Sequence, residues 1–499
     1  MTDPILLWNE VALEANRVSH TNFIDTGLDE ETGPTRSSRA LAIVHLAMYD
    51  AYAGVDVAAA LPRFLPNPPA PLPGDGATVN AAVAAAAHKA LSELFPSQKP
   101  AFDLVLTAAG DMTNAGHNFG VAVAEAILAD RKDDPGGASP GYEPSPLRGR
   151  HRADPDNPGQ GFHGAYYGAQ SKGFSITDRH ELAPPPFNNG DDPEYKDALR
   201  EVRGRGVAPE LMGTLPSNVG GTAIQRRTID QTLIGIFWAY DGAAEMGTPP
   251  RLYNQIVRRL AMARSPGKPT VKNTPAQNAR LFAFVNVAMA DAGILAWDQK
   301  YIHDLWRPVV GIREHDKSMG PAAAQPRNNI LNDCDAQWLP LGAPRTNRVG
   351  KNVTPPFPAY PSGHATFGAA AFHITRLFYG VPAGDRKPDD LFEDLDFVSE
   401  EFDGKSTDNK ETVRPRHRRT FPGGLWRMIE ENGRSRVFLG VHWVFDAFAV
   451  NKDDTPNLEK KVGGKFIGGV PLGLLIAEDI YTTGGGTAPK RSTTVPPRP

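Results

Sequence analysis

The sequence predicts an all-α protein made of two helical bundles packed together, and two observations support this prediction. Apolar residues recur at helical spacing over long stretches, whereas the strict alternation of a half-buried strand is scarce. The chain has 499 residues, 40% of them apolar, which is longer than one hydrophobic core usually extends. One very large helical unit or two packed bundles is therefore expected, and we favour two bundles.

The first half of the chain combines Ala-rich helical stretches with irregular connectors. The predicted helices are 37–52, 78–95 and 116–130. The connectors are so rich in Pro and Gly that regular structure is not expected in 61–76, 134–161 and 183–192. Together these elements predict an N-terminal helical bundle of residues 1–205.

Denser helical patterns follow in the second half, at 222–240, 250–263 and 274–306. The last of them begins with Thr274 as a predicted N-cap and Pro275 in the first turn, where proline is well tolerated. These helices predict a C-terminal helical bundle of residues 206–481 that carries the functional motifs. Residues 482–499 are full of Gly, Thr and Pro and are predicted to form a disordered tail.

Composition and charge exclude several classes of partner. The 53 basic and 57 acidic residues leave a net charge of −4, so neither nucleic acid nor a membrane surface is an expected partner. Cys334 is the only cysteine, which excludes an intrachain disulfide and a cysteine-based zinc site. The N-terminus lacks the features of a signal peptide, and apolar stretches such as 466–477 are short for a membrane span. The protein is predicted to be soluble, and cytoplasmic or exported without a typical signal peptide.

The first of three functional stretches is Lys300-x6-Arg307-Pro308. Seven residues are two helical turns, so Lys300 and Arg307 are predicted to share a helix face and to converge on one ligand. Pro308 is predicted to end or bend that helix. Arginine suits bidentate contact with an oxyanion, whereas lysine acts as a point charge.

The second stretch is Pro361-Ser362-Gly363-His364, which precedes an apolar, helix-prone run. The tetrapeptide is therefore predicted at a helix N-terminus, where unpaired amides and the helix dipole favour an anion. Ser362 adds a hydroxyl, and Gly363 lets the backbone approach a ligand closely. The imidazole of His364 titrates near neutrality and is suited to acid–base chemistry at the same ligand.

The third stretch contains Ser435, Arg436, His442 and Asp446. Ser435, His442 and Asp446 fall on one predicted helical stripe, with Arg436 beside it. A carboxylate one turn after His442 can hold one ring nitrogen as a donor and free the other to attack or to coordinate. A backbone carbonyl could serve the same purpose, so both partners for His442 stay open at this point.

Each stretch by itself has an ordinary explanation, because a Lys-x6-Arg pair is usually a solvated face and a Pro-Ser-Gly-His segment is usually a turn. The combination is more informative, since the three supply cations, a hydroxyl, helix-start amides and two imidazoles in one chain. Because the net charge is small, any anion site must be local. The sequence therefore predicts an enzyme with a tetrahedral oxyanion site.

This ordered set resembles the signature of the superfamily that joins type 2 phosphatidic acid phosphatases, bacterial class A acid phosphatases and vanadium-dependent haloperoxidases. The chain is most similar to the vanadium chloroperoxidases of fungi and their bacterial relatives. The resemblance covers most of the first 475 residues and is strongest in 7–17, 38–47, 237–242, 248–255, 355–360 and 438–443. The segment between Pro308 and Phe357 departs from the fungal pattern, which leaves the pocket entrance and substrate preference open.

The resemblance implies a role for individual residues. His442 would be the axial ligand of vanadium, and His364 the acid–base group beside the apical oxygen. Asp241 would pair with the pocket arginines, and Trp297 and Phe357 would lie beside the halide. The groups implied to hydrogen-bond the vanadate oxygens are Lys300, Arg307, Ser362, Gly363 and Arg436.

The resemblance also implies the reaction. Vanadate is the implied cofactor, and hydrogen peroxide, a halide and a small organic molecule are the implied partners. Lys300 would polarise the activated peroxide, and the halide would leave as hypohalous acid that halogenates the organic substrate. The same pocket also suits the alternative, a phosphomonoester hydrolase in which His442 forms a phosphohistidine. The choice of chloride or bromide, the organic substrate and the choice of monomer or homo-oligomer are not predicted.

Overall fold

The computed structural model describes residues 3–109, 113–263, 271–389, 392–484 and 488–491. Within these residues the fold is dominated by α-helices, and the predicted all-α class is confirmed. The helices are α1 (Pro4–Thr26), α2 (Pro34–Val55), α3 (Gly76–Leu94), α4 (Lys99–Ala109), α5 (Ala115–Asp130), α6 (Tyr167–Gln170), α7 (Pro193–Arg205), α8 (Ile229–Phe237), α9 (Pro249–Ala263), α10 (Pro275–His303), α11 (Pro308–Arg313), α12 (Gly363–Phe378), α13 (Gly424–Phe438), α14 (Val444–Ala447) and α15 (Gly469–Thr483).

The strands are short and occur as four isolated antiparallel pairs. They are β1 (Asn218–Val219) with β2 (Thr222–Ala223), β3 (Asp396–Phe397) with β4 (Arg419–Thr420), β5 (Ala449–Val450) with β6 (Pro456–Asn457), and β7 (Lys461–Val462) with β8 (Lys465–Phe466). Short 3-10 turns lie at Val57–Ala59, Pro96–Gln98, Pro158–Gln160, Asn188–Gly190, Pro209–Thr214 and Glu400–Phe402. Among the described residues, these pairs of two-residue strands join neighbouring loop segments and form no sheet layer of the fold.

The long helix α10 is the central element of the fold. Thr274 caps its first turn by accepting a hydrogen bond from the Gln277 amide at 3.3 Å, as the N-cap prediction requires. The helix is apolar enough to cross a membrane, but 94% of its most apolar window is buried inside the protein. Such burial is typical of the core helix of a soluble helical protein.

Two groups of helices are joined through α10. Helices α2, α3 and α5 form one group, and α2 contacts α10 directly. Helices α12, α13 and α15 form the second group, and α12 packs along α10. The buried apolar residues of both groups belong to one continuous core that extends from Ile5 to Ala488. The boundary between bundles at residue 205 stays a prediction.

A buried carboxylate on α10 ties a loop of the first half of the chain to this core. Asp291 accepts hydrogen bonds from the amides of Phe174, Ser175 and Ile176 at 2.7 to 3.0 Å. Burial raises the pKa of Asp291 to about 6, although these amides lower it. The loop that follows α6 is thereby fixed against the central helix.

Several predicted elements are shorter than expected. The predicted helix 222–240 is reduced to α8, because residues 222–223 pair as a strand instead. The predicted helix 274–306 ends at His303, since Asp304 adopts a left-handed conformation with φ of 49°. Of the predicted tail, 482 and 483 belong to α15 and Ala488 is buried, whereas 485–487 and 492–499 lie outside the described residues.

Candidate active site

Two of the three functional stretches line the buried end of a cavity of about 410 Å³, and the first reaches it through Arg307, whose Nη1 lies 2.8 Å from His442 Nε2. His442, Arg436, Gly363 and His364 line this end of the cavity. They come from the segment after α13, from the end of α13 itself and from the start of α12. Residues separated by up to 80 positions in the chain are therefore brought to one place by the packing of these helices.

Lys300 and Arg307 lie on different helices, which corrects the prediction of a shared helix face. Lys300 is in the last turn of α10, whereas Arg307 is the N-cap of α11. The left-handed Asp304 ends α10 before Arg307 is reached. The two cations nevertheless converge, because the Lys300 ammonium lies 5.2 Å and the Arg307 guanidinium 5.0 Å from the centre of the Phe357 ring.

The ammonium of Lys300 is fully buried and fixes the loop that leads into α12. It donates hydrogen bonds to the carbonyls of Pro358 at 2.9 Å, Ala359 at 3.1 Å and Pro361. Burial, and after it the neighbouring Arg307, holds the pKa of Lys300 well below its ordinary value. In this structure Lys300 positions the residues before Ser362, and its direct contact with an oxyanion stays a prediction.

Ser362 is the N-cap of α12, at the helix start that the sequence predicts. Its side chain accepts a hydrogen bond from the Ala365 amide at 3.4 Å, and its own amide donates to the Asp446 carbonyl at 2.8 Å. Gly363 follows with its amide in the first turn, where no acceptor exists within the helix. A Cβ at Gly363 would lie 3.2 Å from the Trp297 ring, so little space is available for any side chain.

His442 lies outside regular helix, which corrects the prediction of one helical stripe from Ser435 to Asp446. Helix α13 ends at Phe438, Gly440 turns the chain with φ of 74°, and the short α14 starts at Val444. Asp446 still reaches His442, because its Oδ2 accepts hydrogen bonds from His442 Nδ1 at 2.7 Å and from the Trp443 amide at 3.0 Å. The short helix thus carries the orienting carboxylate.

The hydrogen bonds of His442 define its tautomer. Since the carboxylate of Asp446 accepts from Nδ1, the lone pair lies on Nε2, and Arg307 Nη1 donates to that nitrogen at 2.8 Å. Burial, with Arg307 and Lys300 nearby, holds the pKa of His442 well below its ordinary value. Burial also raises the pKa of Asp446 to about 7, against the effect of the same cations. The result is a neutral imidazole whose Nε2 lone pair faces Arg307, and Arg307 must shift if Nε2 is to bond a ligand.

Arg436 is held by the predicted carboxylate Asp241. The pair is bidentate, with distances of 3.0 Å and 2.8 Å between the guanidinium nitrogens and the two carboxylate oxygens. Arg436 is fully buried, so an unpaired guanidinium here would be costly. The same Asp241 lies 3.8 Å from His364 Nε2, which links the arginine and the second imidazole.

His364 is also a neutral imidazole. Its Nε2 lies 2.7 Å from the carbonyl of Ala239, and because a carbonyl only accepts, this nitrogen carries the proton. Burial and, after it, Arg436 lower the pKa of His364 to about 3. The remaining nitrogen, Nδ1, therefore carries a lone pair, which can accept a hydrogen bond or a proton.

Trp297 and Phe357 form an aromatic wall beside this group. Their ring centres are 4.8 Å apart, and both residues line the cavity. The Lys300 ammonium lies 5.6 Å from the Trp297 ring centre. The wall thus combines an apolar surface with a nearby positive charge, which suits an anion of low hydration.

The outer part of the cavity was not predicted from the sequence. It is lined by residues of the first half of the chain, namely His20, Phe23, Asp29, Arg36, Phe162 and His163. No motif marks these positions, and the resemblance in 7–17 and 38–47 does not include them. Only the folding of distant segments against α10 and α12 brings them to the cavity.

The donors around His442 fit a bound tetrahedral oxyanion. Arg307 Nη2 and Arg436 Nε are buried and have no hydrogen-bond partner among the described residues, and such unpaired buried donors are uncommon. The first turn of α12 adds amides, and His442 adds a lone pair on Nε2. These groups make the buried end of the cavity a candidate site for an oxyanion next to His442.

Comparison with known proteins identifies the family. The chain is 35% identical to the vanadium chloroperoxidase of Curvularia inaequalis, over 97% of this chain and 90% of the relative. The family model of the vanadium chloroperoxidase N-terminal domain matches residues 1–161, and that of the VCPO second helical-bundle domain matches 280–452. The chain therefore belongs to the vanadium chloroperoxidase family, and the predicted enzyme class, a vanadium-dependent haloperoxidase, is confirmed.

Solved structures share the fold at low sequence identity. A bacterial vanadium-dependent iodoperoxidase matches with a TM-score of 0.59 and 16% identity, over 99% of both chains. A bacterial vanadium-dependent chloroperoxidase in its holo form matches with a TM-score of 0.57 and 15% identity, over 91% of this chain and 93% of the other. These likenesses support the two-bundle, all-α architecture.

Proposed function

We propose that this protein oxidises a halide with hydrogen peroxide in the described cavity and releases hypohalous acid, which halogenates small organic molecules. Membership of the family makes vanadate its cofactor, so the predicted cofactor is confirmed. The single observation that carries the proposal for the site is His442, a neutral buried imidazole whose Nε2 lone pair faces a cluster of cations. The residues proposed to hold the vanadate are His442, Lys300, Arg307, Ser362, Gly363 and Arg436.

His442 would supply a ligand to vanadium, and Asp446 would keep its ring in the required tautomer. A carboxylate that accepts from Nδ1 raises the basicity of Nε2 and fixes the ring orientation. Arg307, Arg436 and the amides of the first turn of α12 offset the negative charge of the oxyanion. When bound, vanadate supplies a Lewis acid that makes peroxide electrophilic without a change of oxidation state.

His364 moves the proton. Its Nδ1 is unprotonated, while Nε2 is held by the Ala239 carbonyl at 2.7 Å. Nδ1 of the imidazole can therefore accept the proton that hydrogen peroxide gives up on entering the site. The same nitrogen can later return that proton. Because burial and Arg436 oppose a positive charge on the ring, a protonated His364 would be a stronger acid than an ordinary imidazolium and could return its proton.

Trp297 and Phe357 shape the halide position, and the apolar Phe357 favours a chloroperoxidase type. The relatives named above include chloroperoxidases and an iodoperoxidase, so both a small and a large halide are oxidised within this fold. The location, in the cytoplasm or outside the cell after export, stays a prediction.

The proposal is tested by two assays on the purified protein. Bromination of a phenolic indicator dye is measured with vanadate, hydrogen peroxide and bromide, and release of phosphate from an aryl phosphate is measured without vanadate. We expect vanadate-dependent bromination and little phosphatase activity. Strong phosphatase activity without bromination would overturn the proposal in favour of the phosphomonoester hydrolase.

A further inference from the structure

Besides His364, His442 and His20, the cavity is lined by His163, which no motif identified. The centre of its ring lies 6.2 Å from Trp297 and 6.3 Å from Phe357, and those two rings are 4.8 Å apart. The three rings therefore surround one part of the cavity. This is the part next to the cations Lys300 and Arg307, whose charges lie 5.0 to 5.6 Å from the aromatic ring centres.

The backbone of His163 is bonded to the aromatic wall itself. Its amide donates to the carbonyl of Pro356 at 3.0 Å, directly before Phe357. Its carbonyl accepts from the Tyr301 hydroxyl at 2.7 Å and from the Trp297 indole at 3.3 Å. His163 thus keeps a fixed distance from both aromatic residues, although it belongs to a loop of the first half of the chain.

The imidazole ring lies in a slot formed by two glycines. A Cβ at Gly33 would lie 2.4 Å from the Cε1 of His163, and a Cβ at Gly137 would lie 2.8 Å from the same atom. No other residue type fits either position without displacing the ring. Both glycines line the cavity together with His163, so the slot fixes the ring at the cavity surface.

The two ring nitrogens have different surroundings. Nε2 lies 3.0 Å from the hydroxyl of Thr35, whereas Nδ1 makes no hydrogen bond to any residue that the structure describes. His20, which also lines the cavity, differs: its Nδ1 bonds the Asn16 carbonyl at 2.8 Å and its Nε2 accepts from the Gly33 amide at 3.0 Å. His163 therefore has a polar atom at the cavity surface that His20 lacks.

We propose that His163 is a halide-binding residue, which donates a hydrogen bond from Nδ1 to a halide bound beside Trp297 and Phe357. In this assignment the Thr35 hydroxyl donates to Nε2, which lies 3.0 Å away, and the ring proton is on Nδ1. Burial and, after it, Arg36 lower the pKa of His163 to about 4, which is consistent with a neutral donor at neutral pH. This inference rests on the proposed function, because it assigns a contact for the substrate of that reaction.

Two substitutions separate the ring nitrogens. His163→Gln keeps an amide near the Nε2 position and loses the donor at Nδ1, whereas His163→Asn keeps an amide near Nδ1. We expect the KM for bromide to rise about tenfold or more in His163→Gln, as the loss of a hydrogen bond to an ion requires. The KM for hydrogen peroxide and the vanadium content should not change, and His163→Asn should recover most of the bromide affinity.

His88→Gln is the matched control, because His88 also makes one side-chain hydrogen bond, to Asp103 at 2.6 Å, but lies outside the cavity. It should have the bromide KM of the unmodified protein. An unchanged bromide KM in His163→Gln, with the unmodified protein active, would overturn the assignment of His163 alone. Absence of bromide oxidation in the unmodified protein would instead overturn the proposed function.

A second measurement does not depend on turnover. Crystals of the vanadate-free protein are soaked in bromide, and bromide is located by its anomalous scattering. We expect a peak within hydrogen-bond distance of Nδ1 in the unmodified protein and none in His163→Gln. A peak of equal height in both proteins, or bromide only elsewhere in the cavity, would contradict the proposal.

Discussion

The oxyanion site and the outer cavity differ in how their residues are held. In the oxyanion site, the side chains of Lys300, Arg307, Arg436 and His442 are at most 3% exposed or fully buried, and most of their polar atoms have a named partner. In the outer cavity, Phe23 is 46% exposed and Asp29 has a side chain that is 48% exposed. Buried charges need specific partners, whereas exposed groups retain water.

The two regions also come from different parts of the chain. The oxyanion site uses residues from 241 to 446, and the outer cavity uses residues from 20 to 163. The groups proposed for the chemistry therefore lie in the second half of the chain, whereas loops of the first half line the outer cavity and contribute the proposed halide contact of His163. Changes in the first region should abolish the reaction, and changes in the second should modify it.

The largest effect is expected from the two histidines of the oxyanion site. His442→Ala should abolish retention of vanadate, because it removes the only proposed bond to vanadium. His364→Ala should retain vanadate but lose turnover by about 10²- to 10⁴-fold, the usual contribution of a general acid–base group. Vanadium content after gel filtration and the bromination rate check both expectations. Equal loss of vanadium in both variants would contradict this division of roles.

A smaller effect is expected when the partner of His442 is changed. Asp446→Asn should weaken vanadate binding by about 10- to 100-fold, since it removes the carboxylate that orients a metal-ligating imidazole. Asp103→Asn is the control, because Asp103 also pairs with a histidine, His88, but on the surface. Titration of activity with vanadate measures the affinity. If the vanadate affinities of Asp446→Asn and the unmodified protein agree within about twofold, Asp446 does not orient His442.

His20 tests the outer cavity through the pH dependence of stability. Burial lowers its pKa from 6.5 to about 4 in the folded protein, so the unfolded chain binds a proton that the folded protein does not bind. As the pH falls from 7 to 5, His20 should therefore reduce the free energy of unfolding by about 2 kcal/mol. His20→Gln has no group that titrates at this position, so its stability does not fall for this reason. The difference in stability between the two proteins should therefore narrow on acidification.

Urea unfolding at pH 7, 6 and 5 measures that difference. At pH 7 the variant should be less stable, because it loses the bond from the Gly33 amide to Nε2, 3.0 Å in length. If the difference in unfolding free energy between the two proteins stays constant over this pH range, His20 takes up a proton equally well in the folded protein and in the unfolded chain. The comparison uses two proteins, so other titrating groups cancel.

The smallest effect is expected at the rim of the outer cavity. Asp29 pairs with Arg36 at 2.6 Å, but the carboxylate is half exposed, and such pairs contribute less than about 1 kcal/mol. Asp29→Asn should therefore change the thermal midpoint only slightly. It should change the bromide kcat/KM by about twofold or less. A loss of activity comparable with that of Asp446→Asn would show that the two regions are not distinct.

Several features of the oxyanion site could be predicted because they are local. Thr274 and Ser362 were recognised as helix starts, since capping depends on residues within one turn. The helix ends were not recognised, because the left-handed Asp304 and the turn at Gly440 depend on the surrounding packing. As a result, the convergence of Lys300 and Arg307 was predicted for the wrong reason, and so was the contact between His442 and Asp446.

By itself the sequence determined the all-α class, the family and the segments that contain the oxyanion site. It did so because helix periodicity, capping and short motifs act over a few residues. The tertiary structure alone decided which loops form the outer cavity and placed His163 beside Trp297 and Phe357. Those contacts join residues more than 100 positions apart, and they exist only because α10 and α12 pack against the loops of the first half.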